Sequence, residues 1–182
     1  QKLGQQNNLQ ASERRLQCKY YSEQEFIRSA GSAQSVDNAN IEEPNHSNRS
    51  SEIKGGIVPH HLIAGRMIAS FFKTISAAQP EVVVVIAPNH KGIGVKSIHT
   101  GNRDWQTPFG ILEADADMVN SLVDSKKAGV IFDLLEEDHS IACLIPYIKY
   151  YMPDSRIVPI LLHGNLGLQD SQELGQYLRN KL

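Results

Sequence analysis

The chain has 182 residues, of which 41% are hydrophobic and 21% charged, and its formal net charge is −2. This composition is typical of a globular domain with a sizeable core. The nearly balanced charge gives no electrostatic basis for binding nucleic acid or an anionic membrane. No apolar run is long enough to form a membrane-spanning helix.

The two cysteines, Cys18 and Cys143, lie far apart in different kinds of sequence. This spacing predicts neither a disulfide framework nor a zinc ribbon, and it favours a reduced, cytoplasmic protein. The sequence begins at Gln1 rather than at a methionine, so a removed upstream targeting segment or anchor is compatible with it.

Residues 1–52 are dominated by Gln, Asn, Ser and Glu. Such a segment buries too little apolar surface to order fully, so we expect a polar, partly disordered N-terminal arm. Ser22 and Glu25 form a capping-box pattern, which predicts a short helix over Glu23–Ala30 that docks on the following domain.

From residue 53 to residue 182 the pattern alternates between strand and helix. Predicted strands cover Ile53–Val58, Glu81–Ala87, Val95–Thr100, Val130–Leu134 and Arg156–Leu162. Predicted helices cover Leu62–Ala78, Asp115–Ser125, Ser140–Met152 and Gln169–Leu182. This alternation predicts an α/β fold in which helices cover both faces of a mostly parallel sheet. The β-branched run within Glu81–Ala87 predicts a strand buried on both faces.

Two histidines end apolar runs in the same way. Ile57-Val58-Pro59 precedes His60, and the strongest predicted strand leads through Pro88-Asn89 to His90. Ligands of open α/β sheets bind beyond the carboxyl ends of the strands, so both imidazoles are candidate metal ligands or proton carriers. The structural alternative is a carbonyl hydrogen bond or a helix cap. Neighbouring side chains of an extended segment point opposite ways, so His61 is expected to support or pack rather than share the role of His60.

A third histidine lies in Asp138-His139-Ser140, before a predicted helix. Asp138 or Ser140 could simply cap that helix. Alternatively, His139 faces the crevice as a general base or hydrogen-bond donor, the role that its ordinary pKa suits at neutral pH. Cys143, one turn later on an apolar face, is read as a core residue.

Two further residues are accessory candidates. Trp105 lies in a predicted turn, where it could form the wall of a pocket or pack the loop. His163 follows a strand, as His60 and His90 do, and could reach the same edge of the sheet or lie in a surface loop.

An ordered set of short motifs resembles a known family. The motifs are Ile57-Val58-Pro59-His60, Val85-Ile86-Ala87-Pro88-Asn89-His90, Trp105-Gln106-Thr107-Pro108-Phe109-Gly110, Asp138-His139-Ser140 and Arg156-Ile157-Val158-Pro159-Ile160-Leu161. They resemble the MEMO-like family, also called AmmeMemoRadiSam system protein B, which is similar in fold to class III extradiol dioxygenases. The resemblance covers residues 53–182.

The resemblance implies a three-layer α/β sandwich with a metal-capable site at the strand ends. His60 matches the first metal-binding histidine of the family and His90 the second, while His139 matches the histidine that serves acid/base chemistry in the dioxygenases. Such a site suits iron(II), and zinc or copper also fit. The substrate or partner would be a small molecule or a peptide.

The sequence departs from the family pattern at three places. The family usually continues Pro-His-Ala-Gly-Tyr, whereas this chain has His61 and Leu62 after His60, and Ala142 replaces a usual glutamate. The C-terminal portion of the family, with further strands and a third metal ligand, has no counterpart before Leu182. We therefore expect that His61, His163 or a partner chain would have to complete the ligand set.

Three functions are compatible with these features. The first is a metal-dependent oxidoreductase of the dioxygenase-like type, with His60 and His90 on the metal and His139 carrying the proton. The alternative is a non-catalytic module that binds a peptide or small ligand in the same crevice. Metal-independent hydrolysis by His139 and Ser140 ranks last, because no Gly-x-Ser-x-Gly motif is present.

Overall fold

The computed structural model describes residues 14–33 and 55–182. Within these ranges the strands are β1 (Leu16–Gln17), β2 (Val82–Pro88), β3 (Ile98–Thr100), β4 (Trp105–Thr107), β5 (Gly110–Leu112), β6 (Gly129–Val130) and β7 (Arg156–Leu162). The α-helices are α1 (Glu23–Gly31), α2 (Gly65–Ile75), α3 (Ala116–Asp124), α4 (Phe132–Glu137), α5 (His139–Ala142), α6 (Ile145–Tyr151) and α7 (Leu168–Arg179). Short 3-10 turns at Leu62–Ala64 and Ser76–Ala78 flank α2. None of the described helices is both long and apolar enough to cross a bilayer.

The strands form two mixed sheets, so the α/β class is confirmed. In the larger sheet two of the three strand pairs, β2–β7 and β3–β6, are parallel. The larger sheet has the order β2-β7-β3-β6, in which β7 pairs parallel with β2 and antiparallel with β3. The smaller sheet has the order β1-β4-β5. Its β4 and β5 are joined by a tight turn, which forces them to run antiparallel.

The central strand β7 separates two hydrophobic cores. Ile157 and Leu161 face the core that includes residues of α2 and α6, while Val158 and Ile160 face the core that includes residues of α3 and α7. All four side chains are fully buried. Helices therefore cover both faces of the larger sheet, as the continuous apolar run of this strand predicts.

The strand β2 occupies the edge of the larger sheet in the described part of the chain. Its single sheet neighbour there is β7, with seven residue pairs from Val82 opposite Arg156 to Pro88 opposite Leu162. Val85 and Ala87 face the core, but the Ile86 side chain is 47% exposed. Val82 and Val84 are half-buried against the core that includes residues of α3 and α7, so the predicted burial on both faces holds for the first half of β2 and fails at Ile86. Composition rich in β-branched residues does not distinguish an edge strand from a central one.

Two predicted strands differ from the structure around the site. Residues 55–58 form an irregular segment, and Ile53 lies outside the described residues. The strand expected over Val130–Leu134 ends at Val130, and helix α4 begins at Phe132. The apolar run there is too short for its periodicity to distinguish strand from helix.

The helix expected over Ser140–Met152 is divided into α5 and α6. Pro146 lies in the first turn of α6, where a missing N–H has no cost, and this position favours a new helix start. The strand expected over Val95–Thr100 is shorter, since only Ile98–Thr100 pairs with neighbours. The break before α6 leaves His139 at the start of its own short helix.

The N-terminal segment docks as expected. Helix α1 begins after Ser22, whose hydroxyl accepts a hydrogen bond from the Glu25 backbone N–H at 3.4 Å, which confirms the predicted cap. Phe26 is buried among the aromatic rings of Phe109, Tyr147 and their neighbours. The proposed boundary near residue 52 lies outside the described residues and stays a prediction.

A buried carboxylate holds the beginning of this segment. Glu136, whose side chain is 2% exposed, accepts hydrogen bonds from the Gln17 backbone N–H at 2.7 Å and from Arg14 Nη2 at 2.8 and 3.1 Å. Lys19 Nζ lies 3.3 Å away. Burial alone raises the pKa of this carboxyl, but the bonds from Gln17 and Lys19 and the charge of Arg14 outweigh it, so the pKa lies below its usual value.

Replacing Glu136 by Gln is expected to lower the free energy of unfolding by about 1–3 kcal/mol near neutral pH, because charged hydrogen bonds are lost. A carboxyl with a depressed pKa in the folded state stabilises the protein above its unfolded pKa, and this stabilisation is lost as the pH falls through the folded pKa. The difference between the two proteins should therefore shrink in acid. Denaturant titrations of both proteins, at neutral pH and in acid, measure this difference in the free energy of unfolding. Glu137→Gln at the exposed neighbouring position is the control, and equal losses in both variants would contradict the assignment.

Candidate metal centre

Three histidines from three separate elements converge on one place. His60 precedes the 3-10 turn before α2, His90 follows β2 by two residues, and His139 begins α5. One potential ligand atom from each of the three rings lies within 4.8 Å of the others. The structure therefore brings together the three histidines that the sequence singled out, in a group that could hold a metal ion.

The spacing of the rings fits a shared ion. The ring centroids are 4.5 Å apart for His90 and His139, 5.0 Å for His60 and His90, and 5.3 Å for His60 and His139. A transition metal binds imidazole nitrogen at about 2.0–2.1 Å, which puts the centroids of two bound rings about 4.5–5.5 Å apart. The rings already have that separation, so small side-chain rotations suffice to direct their nitrogens at one ion.

Two imidazole nitrogens in this group have no hydrogen-bond partner among residues 14–33 and 55–182. They are Nε2 of His60 and Nε2 of His139, and both atoms are buried. A buried polar atom without a partner is costly, and native structures rarely retain one unless a water, an ion or a function accounts for it. Both atoms therefore fit the donor set of a metal ion.

The carboxylate of Asp138 fixes the third imidazole. Its Oδ2 accepts the His90 backbone N–H at 2.7 Å, and its Oδ1 lies 2.9 Å from His90 Nδ1 and accepts the Ser140 backbone N–H at 3.0 Å. Because an ionised carboxylate only accepts hydrogen bonds, Nδ1 of His90 carries a proton, and in the neutral tautomer that this bond selects Nε2 is the nitrogen available to a metal ion. A carboxylate behind a ligating histidine is the usual arrangement in metal sites.

The pKa shifts favour an ionised Asp138 and the neutral forms of His60 and His139. Burial raises the pKa of the Asp138 carboxyl, but the hydrogen bonds from His90 and Ser140 outweigh burial and hold it below its ordinary value. The pKa values of His60 and His139 are lowered, first by burial and then by neighbouring histidines. Metal ions bind the neutral form of histidine, so these shifts reduce competition from protons.

The position of His61 contradicts the expectation that it points away from His60. Its ring centroid lies 4.8 Å from that of His60 and 5.0 Å from that of His139. The rule of opposite directions holds for a regular strand, and here the chain is turning into the 3-10 turn. His61 is therefore an exposed fourth imidazole beside the centre.

The other two accessory candidates lie in different surroundings. His163 lies directly after β7, and its Nε2 is 2.9 Å from the carbonyl oxygen of Gly92. This histidine does not belong to the three-histidine group. Trp105 is fully buried in the hydrophobic core, in the β4–β5 hairpin. Its placement agrees with the alternative that this residue packs the fold.

Ser140 is not placed as a nucleophile. It is fully buried, and its hydroxyl donates a hydrogen bond to the Pro88 carbonyl at 2.9 Å. Ala142, at the position where the resemblance would place a glutamate, is also fully buried and offers no carboxylate. The hydrolytic hypothesis therefore gains no support from the geometry.

Sequence reasoning missed Tyr20 as a neighbour of the centre. Its ring centroid is 5.9 Å from that of His139, and its hydroxyl donates a hydrogen bond to the Glu137 carbonyl at 2.8 Å. The aromatic pair Tyr20-Tyr21 in an otherwise polar segment was the available signal. The docked N-terminal segment thus forms part of the surroundings of His139.

Cys143 contacts the backbone of one of the three histidines, His60. Its thiol donates a hydrogen bond to the His60 carbonyl at 2.7 Å and is buried in the core, as predicted. Burial raises the pKa of the Cys143 thiol to about 12, and it raises that of Cys18 to about 12 as well. A thiol with such a pKa is neither a nucleophile nor a thiolate ligand at neutral pH.

Both cysteines should consequently resist iodoacetamide in the folded protein near neutral pH. The expected result is less than one tenth of the alkylation rate of the same protein in denaturant, because the thiolate fraction at a pKa of about 12 is minute. Intact-mass measurements over time give both rates. Rapid labelling of Cys143 in folded protein would contradict the structural role.

The fold and the site define a mixed α/β protein with a histidine group capable of holding a metal ion. Residues 23–182 match the Memo-like protein family, and the chain belongs to that family. It is similar to a MEMO1 family protein of Pyrobaculum arsenaticum, at 35% identity over 127 residues, or 67% of this chain and 44% of the relative. It is also similar to a MEMO1 family protein of Pyrobaculum aerophilum, at 30% identity over 72% of this chain and 48% of the relative.

A MEMO1 family protein of Caldivirga maquilingensis is 34% identical over 65% of this chain and 43% of that protein. The chain thus spans less than half the length of each of these relatives. The expected family is confirmed, and the chemistry of the site is a separate question.

Proposed function

We propose that the protein is a metal-dependent oxidoreductase, related in chemistry to extradiol dioxygenases, in which His60, His90 and His139 hold one divalent ion. The convergence of their ligand atoms within 4.8 Å carries this proposal. Iron(II) is the first candidate, and zinc and copper also accept imidazole ligands. A bound iron ion would supply the redox chemistry toward a small organic substrate or a peptide side chain. The expected three-layer sandwich is compatible with helices on both faces of the larger sheet.

The residues of the chain divide the work of the centre. Asp138 holds the proton on Nδ1 of His90 and so directs the lone pair of Nε2 outward. His60 and His139 each present a buried Nε2 that has no hydrogen-bond partner in the described part of the chain. Three neutral ligands leave coordination positions open, which a catalytic site requires for its substrate.

His139 has a second candidate role as the proton carrier beside a metal held by His60 and His90. Its ring is stacked on that of His90 with an interplanar angle of 19° and a centroid distance of 4.5 Å, so it also lies within reach of a substrate bound beside such a metal. His139→Ala distinguishes the roles, because loss of a ligand releases metal whereas loss of a proton carrier does not. A non-catalytic module for a peptide or small ligand is the alternative function.

The first experiment measures metal content. The protein is purified anaerobically with added iron(II), and iron per chain is determined by elemental analysis. We expect close to one ion per chain, and about a 100-fold or greater loss of affinity in His60→Ala and His90→Ala. His163→Ala is the matched control, since that imidazole lies outside the histidine group.

Two results would count against this proposal. Native protein that retains none of the three candidate metals would favour the binding module. Equal loss of metal from His163→Ala and His90→Ala would mean that the ion is held elsewhere or nonspecifically. A third result would not count against the metal site: if His139→Ala retains its metal, His139 is not a ligand and its role is that of a proton carrier.

Replacing Asp138 by Asn tests the carboxylate behind His90. Asparagine remains a good helix cap, so α5 should still form. Loss of the negative charge frees the His90 tautomer, and we expect metal affinity to fall by about 10–100-fold. Competition titration with a chelator measures the affinity, and circular dichroism checks the fold. Unchanged affinity in a folded variant would remove Asp138 from the metal centre.

A further inference from the structure

His61 is an imidazole that the proposed three-histidine set does not use. Its ring lies 4.8 Å from the ring of His60 and 5.0 Å from that of His139, between centroids. These separations match those among the three proposed ligands themselves, which run from 4.5 to 5.3 Å. They also match the separation of about 4.5–5.5 Å expected for two imidazoles on one ion.

The backbone holds His61 at this position while its side chain remains exposed. The His61 carbonyl accepts the Ala64 N–H at 2.9 Å, which closes the 3-10 turn. The preceding carbonyl, that of His60, accepts the Cys143 thiol. Both peptide carbonyls are therefore fixed, whereas an exposed side chain changes rotamer within nanoseconds. His61 is not part of the group whose ligand atoms lie within 4.8 Å of one another, so its ring has to rotate to bring one of its nitrogens toward the shared centre.

We propose that His61 is a fourth ligand, so that the resting centre binds its ion through four imidazoles. This inference rests on the proposed metal function and adds the state of the site before substrate binds. Four protein ligands make a closed tetrahedral site, whereas a catalytic site keeps a position open. His61 is the exposed member, so it is the ligand that an incoming substrate donor atom displaces. The exchange replaces a neutral imidazole and leaves His60, His90 and His139 on the ion.

Cobalt(II) added to the metal-free protein tests this arrangement, because four-coordinate cobalt(II) absorbs visible light far more strongly than six-coordinate cobalt(II). We expect an intense spectrum for the native chain. His61→Ala should bind cobalt about 10-fold or more weakly and show a weaker, shifted spectrum. Added free imidazole should restore the native spectrum, which a purely structural effect of the substitution would not allow. His163→Ala is the matched control and should behave as the native protein does.

The outcomes separate this inference from the proposed function. Native and His61→Ala proteins with equal affinity and equal spectra would overturn the fourth ligand and leave a three-histidine centre. A native protein that binds no cobalt would overturn both. If circular dichroism shows that His61→Ala is misfolded, His61→Gln replaces it in the same titration, because its amide keeps a polar side chain but binds cobalt weakly. An intense native spectrum that is lost in the folded variant and regained with imidazole supports the proposal.

Discussion

The buried carboxylate of Asp138 is the interaction on which the histidine cluster depends. It accepts the backbone N–H and the ring Nδ1 of His90, together with the N–H of Ser140, so one side chain joins the end of β2 to the start of α5. A buried charge is tolerated only when such partners surround it, and removing one typically costs several kcal/mol. The same bonds that satisfy Asp138 also place His90 beside His139. Folding and site geometry therefore have a common cause here.

The central strand β7 sets the position of His90, the hydrogen-bond partner of Asp138. The register of β2 against β7 runs to Pro88 opposite Leu162, and the Asn89 N–H continues it by donating to the Leu162 carbonyl at 2.8 Å. Asn89 then closes the turn with its side chain, which donates to the Ile93 carbonyl and accepts the Gly92 N–H. The backbone that leads to His90 is thus held by hydrogen bonds up to Asn89, the residue before it. The rigidity that a metal ligand requires therefore comes from pairing with β7, an interior strand of the larger sheet.

Local patterns predicted the parts of the molecule that local forces determine. The apolar run of β7 and the Ser22 cap of α1 follow from burial and from a single hydrogen bond, and both were predictable. The edge position of β2 was not, because an edge depends on what pairs with the strand rather than on its composition. The direction of His61 was also not predictable, since it depends on where the extended chain turns. Strand ends explain only part of the histidine group. His90 does follow β2, but His60 follows an irregular segment, His139 begins α5, and His163 at the end of the paired strand β7 lies outside the group.

The acidic run before His139 illustrates how neighbouring like charges acquire different roles. In the structure Glu136 is buried and binds the N-terminal segment, Glu137 is half-exposed and pairs with Lys91, and Asp138 is buried and caps α5. Because Glu136 and Asp138 lie two residues apart, the contact that docks the N-terminal segment and the contact that orients His90 share one short stretch of chain. Displacement of that segment would therefore reach the histidines by two routes, through the backbone of residues 136–138 and through the Tyr20 ring beside His139.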